Sequence, residues 1–152
     1  MTVEASSSHL ADAEILQASL EIVAPAADEL IASFYDRLFT EHPEVRPLFP
    51  QHMDLQREKL LSAIVALVTN YDQPEALRPT LEALGARHVG YGVRVEHYAA
   101  VGGCLLATLR QFAGEAFTPE VEGAWTRAYT FAAGTMMQGA AAAAGTAGSR
   151  AA

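Results

Sequence analysis

The chain has 152 residues and a mass of 16.2 kDa, enough for one domain but too little for two full hydrophobic cores. Its 18 acidic residues outnumber its 10 Lys and Arg residues. The resulting net charge of −8 argues against a general nucleic-acid binder, because phosphate binding needs clustered basic side chains. The single cysteine, Cys104, excludes an intrachain disulfide and a metal cluster built on several cysteines. Alanine, the strongest helix former, is the commonest residue and favours a helical domain.

No segment resembles a membrane span or an export signal. The most apolar run, residues 60–68, is far shorter than the roughly 20 residues that cross a bilayer. The first ten residues contain Glu4 but no Lys or Arg, unlike the positively charged start of a signal peptide. We therefore expect a cytoplasmic protein without a membrane span.

Apolar residues recur at helical spacing in six segments, which prolines and glycines separate. The predicted helices cover residues 11–23, 26–39, 53–70, about 74–87, 95–112 and 119 to about 137. Three prolines within residues 43–50 exclude a long helix there and predict a short, tight helical turn. Gly85, Gly90 and Gly92 surround a predicted loop before the fifth helix. No segment shows the alternation of a strand, so the predicted fold class is all-α.

The two ends of the chain differ in composition from its middle. Residues 1–10 are predicted to be a flexible lead, residues 11–138 the folded domain, and residues 139–152 an Ala/Gly-rich extension or tail. Thr118 and Pro119 are typical of a capping residue followed by the first residue of a helix, and they predict where the last helix begins.

The motifs of common enzyme classes are missing from the sequence. It has no phosphate-binding glycine loop, no Gly-x-Ser-x-Gly and no His-Glu-x-x-His. A di-iron site needs paired Glu-x-x-His motifs, whereas the sequence has only the adjacent pairs Glu41-His42 and Glu96-His97. Cys104 lies in an apolar stretch, where we expect an inert thiol in the core.

One of the five histidines stands out by its surroundings. His88 follows an apolar helical turn and precedes a glycine-rich loop. The others are expected to be structural or exposed: His9, His42, His52 and His97. Taken alone, His88 also admits a structural role.

Two polar side chains lie among large apolar ones. Tyr35 stands between Phe34 and Leu38, and Gln56 lies one turn before Leu60. A few polar groups among many apolar walls are typical of a buried cofactor site. An imidazole on one face, with Tyr and Gln on the other, would suit haem, although spacing alone does not establish it.

Six separated stretches resemble, in order and spacing, the bacterial globins of the flavohaemoglobin and single-domain haemoglobin group. The resemblance runs from about residue 11 to residue 137. Its stretches are residues 34–39, 42–49, 56–61, 84–88, 97–102 and 124–129.

The resemblance implies a globin fold, in which helices A, B, C, E, F, G and H surround one haem b. His88 matches the proximal iron ligand, and Phe49 and Leu60 match apolar residues of the haem wall. It further implies that the chain has no FAD or NAD site, since those sites belong to additional domains.

The resemblance also assigns polar roles. Tyr35 and Gln56 match the distal pair that stabilises a diatomic ligand, and Tyr98 matches the proximal-side tyrosine. These three residues are therefore the predicted catalytic set. Arg87 is placed to meet a haem propionate, with a solvated surface arginine as the alternative.

The sequence departs from this family at the proximal side. The position of the family's late glutamate is occupied by Ala140, and no acidic residue follows Glu122. We therefore expect a backbone carbonyl to accept the second ring N–H of His88, which argues against strongly activated, peroxidase-like chemistry. The short segment before Gln56 places His52 near the pocket mouth, as a surface residue or, less favoured, as a second iron ligand.

The resemblance implies reversible binding of O2, NO or CO, with a capacity to convert NO to nitrate. The alternatives are a true nitric oxide dioxygenase, which would need a separate flavin reductase, or a gas sensor that acts through a partner. A further alternative is a helical domain that binds no haem and serves only to interact with other proteins. The sequence does not reveal the oligomeric state.

Overall fold

The computed structural model describes the backbone of residues 2–151 and the side chains of residues 10–143. This backbone is all-helical and contains no strand, so the predicted fold class is confirmed. The six α-helices are α1 (Thr2–Val23), α2 (Ala27–Glu41), α3 (Asp54–Thr69), α4 (Pro74–Gly90), α5 (Val95–Ala113) and α6 (Pro119–Ala151). The short 3-10 turns are Ala24–Ala26, Pro43–Leu48 and Gly114–Ala116.

The helix ends follow the local signals in most places. The proline-rich segment forms the predicted tight turn over Pro43–Leu48, and the Thr118 hydroxyl accepts the backbone N–H of Val121 at 3.3 Å. Two boundaries differ from the prediction. The first helix begins at Thr2 rather than at residue 11, and α4 continues to Gly90 rather than ending at about residue 87.

The two ends of the backbone are helical in this structure. Residues 2–10 belong to α1, and residues 139–151 continue α6. The side chains of residues 1–9, including His9, and of residues 144–152 lie outside the described residues. The predicted flexibility of the lead and the tail, and the domain boundaries, stay predictions.

The hydrophobic core surrounds α2 and the second half of α1. Leu16, Phe34 and Leu38 are almost fully buried there. The Trp125 indole N–H donates to the Ser19 hydroxyl at 2.9 Å, which joins α6 to α1 inside the core. Since each of these large side chains removes apolar area from water, this core supplies most of the folding energy.

Two glycines allow α4 and α6 to cross in backbone contact. A Cβ at Gly85 would overlap the backbone of Met136, and a Cβ at Gly139 would overlap the backbone of Glu82. Glycine is required at both positions because only a residue without Cβ permits such an approach. This crossing fixes the position of α4, the helix that carries His88.

No helix within the described part of the chain has both the length and the apolar character needed to cross a bilayer.

Candidate functional site

An aromatic cluster surrounds Tyr35 on α2. The Tyr35 ring is buried and packs edge-on against Phe34, with ring centres 4.9 Å apart, and against Phe49, at 5.6 Å. Phe39 completes the cluster, with its ring centre 5.3 Å from that of Phe49. Such edge-to-face pairs fix ring orientation as well as burying area. Phe49, which the resemblance assigns to the haem wall, is thereby held against Tyr35.

Tyr35 and Gln56 form the contact that their predicted pairing requires. The Gln56 side-chain amide donates to the Tyr35 hydroxyl oxygen at 3.2 Å, although 21 positions separate them in sequence. Burial raises the pKa of the Tyr35 phenol, and the hydrogen bond from Gln56 offsets only part of that rise. The phenol therefore stays protonated. Because its oxygen accepts from Gln56, its own proton is left to donate to a further group.

Leu60 and His52 lie on either side of this pair. Leu60 is half-buried, one helical turn beyond Gln56, and packs against the core. His52 is exposed and, together with Tyr35 and Arg57, lines a surface cavity of about 340 Å³. His52 is therefore a surface residue, in agreement with its favoured role. Its place at the mouth of a haem pocket stays a prediction.

Sequence reasoning missed Arg46, which shapes the segment around Phe49. Its guanidinium donates to the backbone carbonyls of Phe49 at 3.3 Å, Pro50 at 3.0 Å and Gln51 at 3.2 Å. It also stacks over the Phe39 ring, 4.9 Å from the ring centre. The nearest signal in the sequence is its place between two prolines, where a turn leaves carbonyls without helical partners.

His88 lies in the last turn of α4 and is half-buried. Its Nδ1 atom lies 2.7 Å from the carbonyl oxygen of Leu84, which can only accept a hydrogen bond. Nδ1 therefore carries the ring proton, and Nε2 keeps the lone pair that a metal ligand needs. The backbone carbonyl predicted as acceptor is confirmed by this contact. The neighbouring Arg87 is exposed to solvent.

Two tyrosines pack on the side of α5 that faces α6. The Tyr129 hydroxyl donates to the backbone carbonyl of Tyr98, and its ring lies where a Cβ on Gly102 would be. Tyr98 is buried, yet its hydroxyl has no hydrogen-bond partner among the described residues. Burial raises the pKa of both phenols, so both keep their protons. An unpaired buried hydroxyl is costly and indicates a place where a polar ligand group could bind.

Cys104 is buried in α5 near the end of α2. Burial raises the pKa of its thiol, the charge of Glu41 raises it further, and Arg37 lowers it. The free thiol is therefore neutral, and its predicted position in the core is confirmed. Its predicted inertness stays a prediction.

Comparisons with known proteins agree with these observations. The family model described as Globin matches residues 32–136. The chain is 39% identical over 115 residues to a flavohemoprotein of Rhodopirellula baltica, which covers 74% of this chain and 28% of that protein. It is 33% identical over 119 residues to a flavohemoprotein of Bacillus subtilis, which covers 76% of this chain and 30% of that protein. The chain thus spans less than a third of these relatives.

Two solved structures share the architecture. A bacterial globin from Campylobacter jejuni superposes with a TM-score of 0.75 and 26% identity, covering 85% of this chain and 94% of that one. An engineered carbene transferase, a proposed nitric oxide dioxygenase from Rhodothermus marinus, superposes with a TM-score of 0.81 and 27% identity. That alignment covers 90% of this chain and 96% of the other.

Proposed function

The chain is a member of the globin family, and from this premise we propose that it binds haem b through His88 and takes up diatomic gases reversibly. The single observation that carries the proposal is the bond between Nδ1 of His88 and the Leu84 carbonyl, which leaves Nε2 as a neutral ligand atom. The donor set fits haem in two further respects. The Tyr98 hydroxyl is buried and finds no hydrogen-bond partner within residues 10–143, and half-buried Phe49 and Leu60 supply apolar walls.

When bound, ferrous haem supplies the open coordination position at which O2, NO or CO binds. Tyr35 is placed to donate its phenol proton to the negative end of such a ligand. Gln56 holds the phenol oxygen through the 3.2 Å contact, so the donor is oriented before the ligand arrives. Because the phenol is buried, this hydrogen bond is stronger than it would be in water. We therefore expect slow ligand release.

On the opposite side, the partner of His88 is a neutral carbonyl rather than a carboxylate. A carboxylate would withdraw the Nδ1 proton more strongly and make the imidazole a stronger electron donor. The neutral partner thus favours reversible binding over bond-breaking chemistry on the ligand. Arg87, exposed and next to His88, is assigned to a haem propionate in this proposal.

A second candidate is the conversion of NO to nitrate. It is favoured by the likeness to the Rhodothermus marinus protein, a proposed nitric oxide dioxygenase, and by the Tyr35–Gln56 pair. The flavohemoprotein relatives extend well beyond the matched region. Turnover would draw electrons from a flavin reductase, which in this proposal is a separate protein. Steady-state NO consumption with a generic flavin reductase distinguishes the candidates. Turnover that stops after one equivalent favours the carrier or a sensor that signals through a partner.

The haem assignment is tested by His88→Ala, which should abolish haem retention and the Soret absorption of the purified protein. His97→Gln is the matched control, because His97 lies at the start of α5 and accepts the backbone N–H of Arg94 through Nδ1. Glutamine retains a side-chain acceptor there. Retention of the wild-type spectrum by His88→Ala would refute the assignment of His88.

A further inference from the structure

A second group of metal-binding side chains lies where α2 ends against α5. Glu41 is the last residue of α2, His42 follows it, and Cys104 lies in the middle of α5. One ligand atom from each lies within 4.8 Å of the other two. We propose that these three side chains bind a zinc ion, with water in the fourth position and release of the thiol proton to solvent.

The combination of donors selects the metal. A sulfur, an imidazole nitrogen and a carboxylate oxygen form a ligand set typical of Zn²⁺, whereas Ca²⁺ and Mg²⁺ take oxygen ligands. Zn–S and Zn–N bonds of about 2.3 and 2.0 Å place tetrahedral ligands roughly 3.5 Å apart. The separations, 4.8 Å at most, need to shrink by up to about 1.3 Å. Glu41 can supply that movement, because its side chain is 51% exposed.

A carboxylate outside the triad orients the imidazole. Nδ1 of His42 lies 3.4 Å from a carboxylate oxygen of Glu44. A carboxylate on one ring nitrogen fixes the tautomer and leaves the other nitrogen to bind metal, as is usual for zinc-binding histidines. This contact is independent of the triad and favours Nε2 as the metal-binding nitrogen of His42.

The triad is reachable from solvent, and its surroundings are negative. Its residues line a cavity of about 810 Å³, to which Glu44 and Glu96 also contribute. Arg94 is the basic residue among the residues that line it. Arg37 faces one oxygen of Glu41 at 3.4 Å and leaves the other oxygen for a metal. The cavity lining therefore contains three carboxylates and one guanidinium, and this excess of negative charge favours the binding of a divalent cation.

The zinc site would join two helices that are distant in sequence. α2 carries Tyr35 and α5 carries Tyr98, so the ion would brace the scaffold that holds both. Since a ligand that binds only the folded state raises stability, zinc should raise the thermal midpoint of unfolding. The assignment does not rest on haem binding, and its failure would leave the proposed function intact.

The test is calorimetric titration of Zn²⁺ into the full chain as purified, followed by X-ray absorption at the zinc edge, where haem iron does not interfere. We expect one zinc per chain and a sulfur neighbour at about 2.3 Å. Because Cys104 is the only cysteine in the sequence, a thiolate sulfur bound to zinc must come from Cys104. Cys104→Ser and His42→Gln should each weaken binding more than a hundredfold, and Glu44→Gln should weaken it by roughly 10- to 100-fold.

His97→Gln is the control for this site too, because His97 lines the same cavity outside the triad. It should leave zinc affinity unchanged. The proposal is overturned if the zinc edge shows no sulfur neighbour or if His42→Gln binds zinc like the wild type. His42→Gln decides the matter even if Cys104→Ser fails to fold, because the imidazole is partly exposed whereas the thiol is buried.

Discussion

The distal side of the proposed haem site is held by side chains, whereas the proximal side is held by backbone. Tyr35 and Gln56 come from α2 and α3 and meet through a side-chain hydrogen bond within an aromatic cluster. His88 is held by a carbonyl of its own helix, and that helix is positioned by the close contact of Gly85 with α6. The distal side can therefore be tuned by single side chains, while the proximal side depends on the integrity of a helix crossing.

The largest expected effect tests the helix crossing. Gly85→Val would place Cβ into the backbone of Met136, so α4 must move or the crossing must open. We expect a loss of about 3 kcal/mol in the free energy of unfolding, measured by denaturant titration, together with weaker haem retention. Gly90→Val in the same helix is the control, since a Cβ there meets nothing within 4 Å. Equal losses in both variants would show that helix propensity, not the crossing, sets the effect.

The second largest effect tests Tyr35 as the hydrogen-bond donor of the distal side. Tyr35→Phe removes the donor but keeps the ring in its aromatic cluster. Loss of one buried hydrogen bond of about 1.4 kcal/mol predicts roughly tenfold faster oxygen release. The measurement is a stopped-flow dissociation rate on the haem-loaded protein. Tyr91→Phe is the control, because Tyr91 is exposed and packs near His88 on the proximal side. An unchanged rate in Tyr35→Phe would contradict the distal assignment.

A smaller change is expected when only the orienting residue is removed. Gln56→Leu keeps the apolar volume but takes away the N–H that holds the Tyr35 oxygen. Oxygen release should accelerate about threefold, which corresponds to roughly half of a hydrogen bond. In the background of Tyr35→Phe, the same substitution should have little further effect, because the two residues act as a pair. Additive effects would mean that each residue contacts the ligand independently.

The smallest effect concerns alkaline pH. Burial raises the pKa of Tyr35, Tyr98 and Tyr129 above their unfolded values near 10. The unfolded chain therefore loses these protons first, and the stability contributed by the buried phenols is complete below pH 10 and falls above it. Denaturant titrations between pH 8 and 11 should show a plateau followed by a decline. A decline that starts well below pH 9 would point to groups other than these tyrosines.

The sequence could predict the helices and the tight turn, because apolar periodicity and prolines are local signals. The Tyr35–Gln56 pair was predicted from the globin resemblance. No sequence pattern explains Gly85 inside the predicted fourth helix, since glycine disfavours a helix interior. Its true reason is a contact with a backbone more than fifty residues away, which no local pattern reveals. Arg46 was missed for the same reason. Its partners are backbone carbonyls, which point toward it only after the turn has formed.

The carbonyl of Leu84 has a consequence for spectroscopy. It lies four residues before His88, so it is the oxygen that the backbone N–H of His88 addresses in a regular helix, and it receives the ring N–H as well. Rotation of the imidazole and unwinding of the last turn of α4 are thus coupled, because both change the hydrogen bonds to the Leu84 carbonyl. Any signal sensitive to the His88 imidazole should then report fraying of the end of α4, and should change at temperatures where the rest of the chain is still folded.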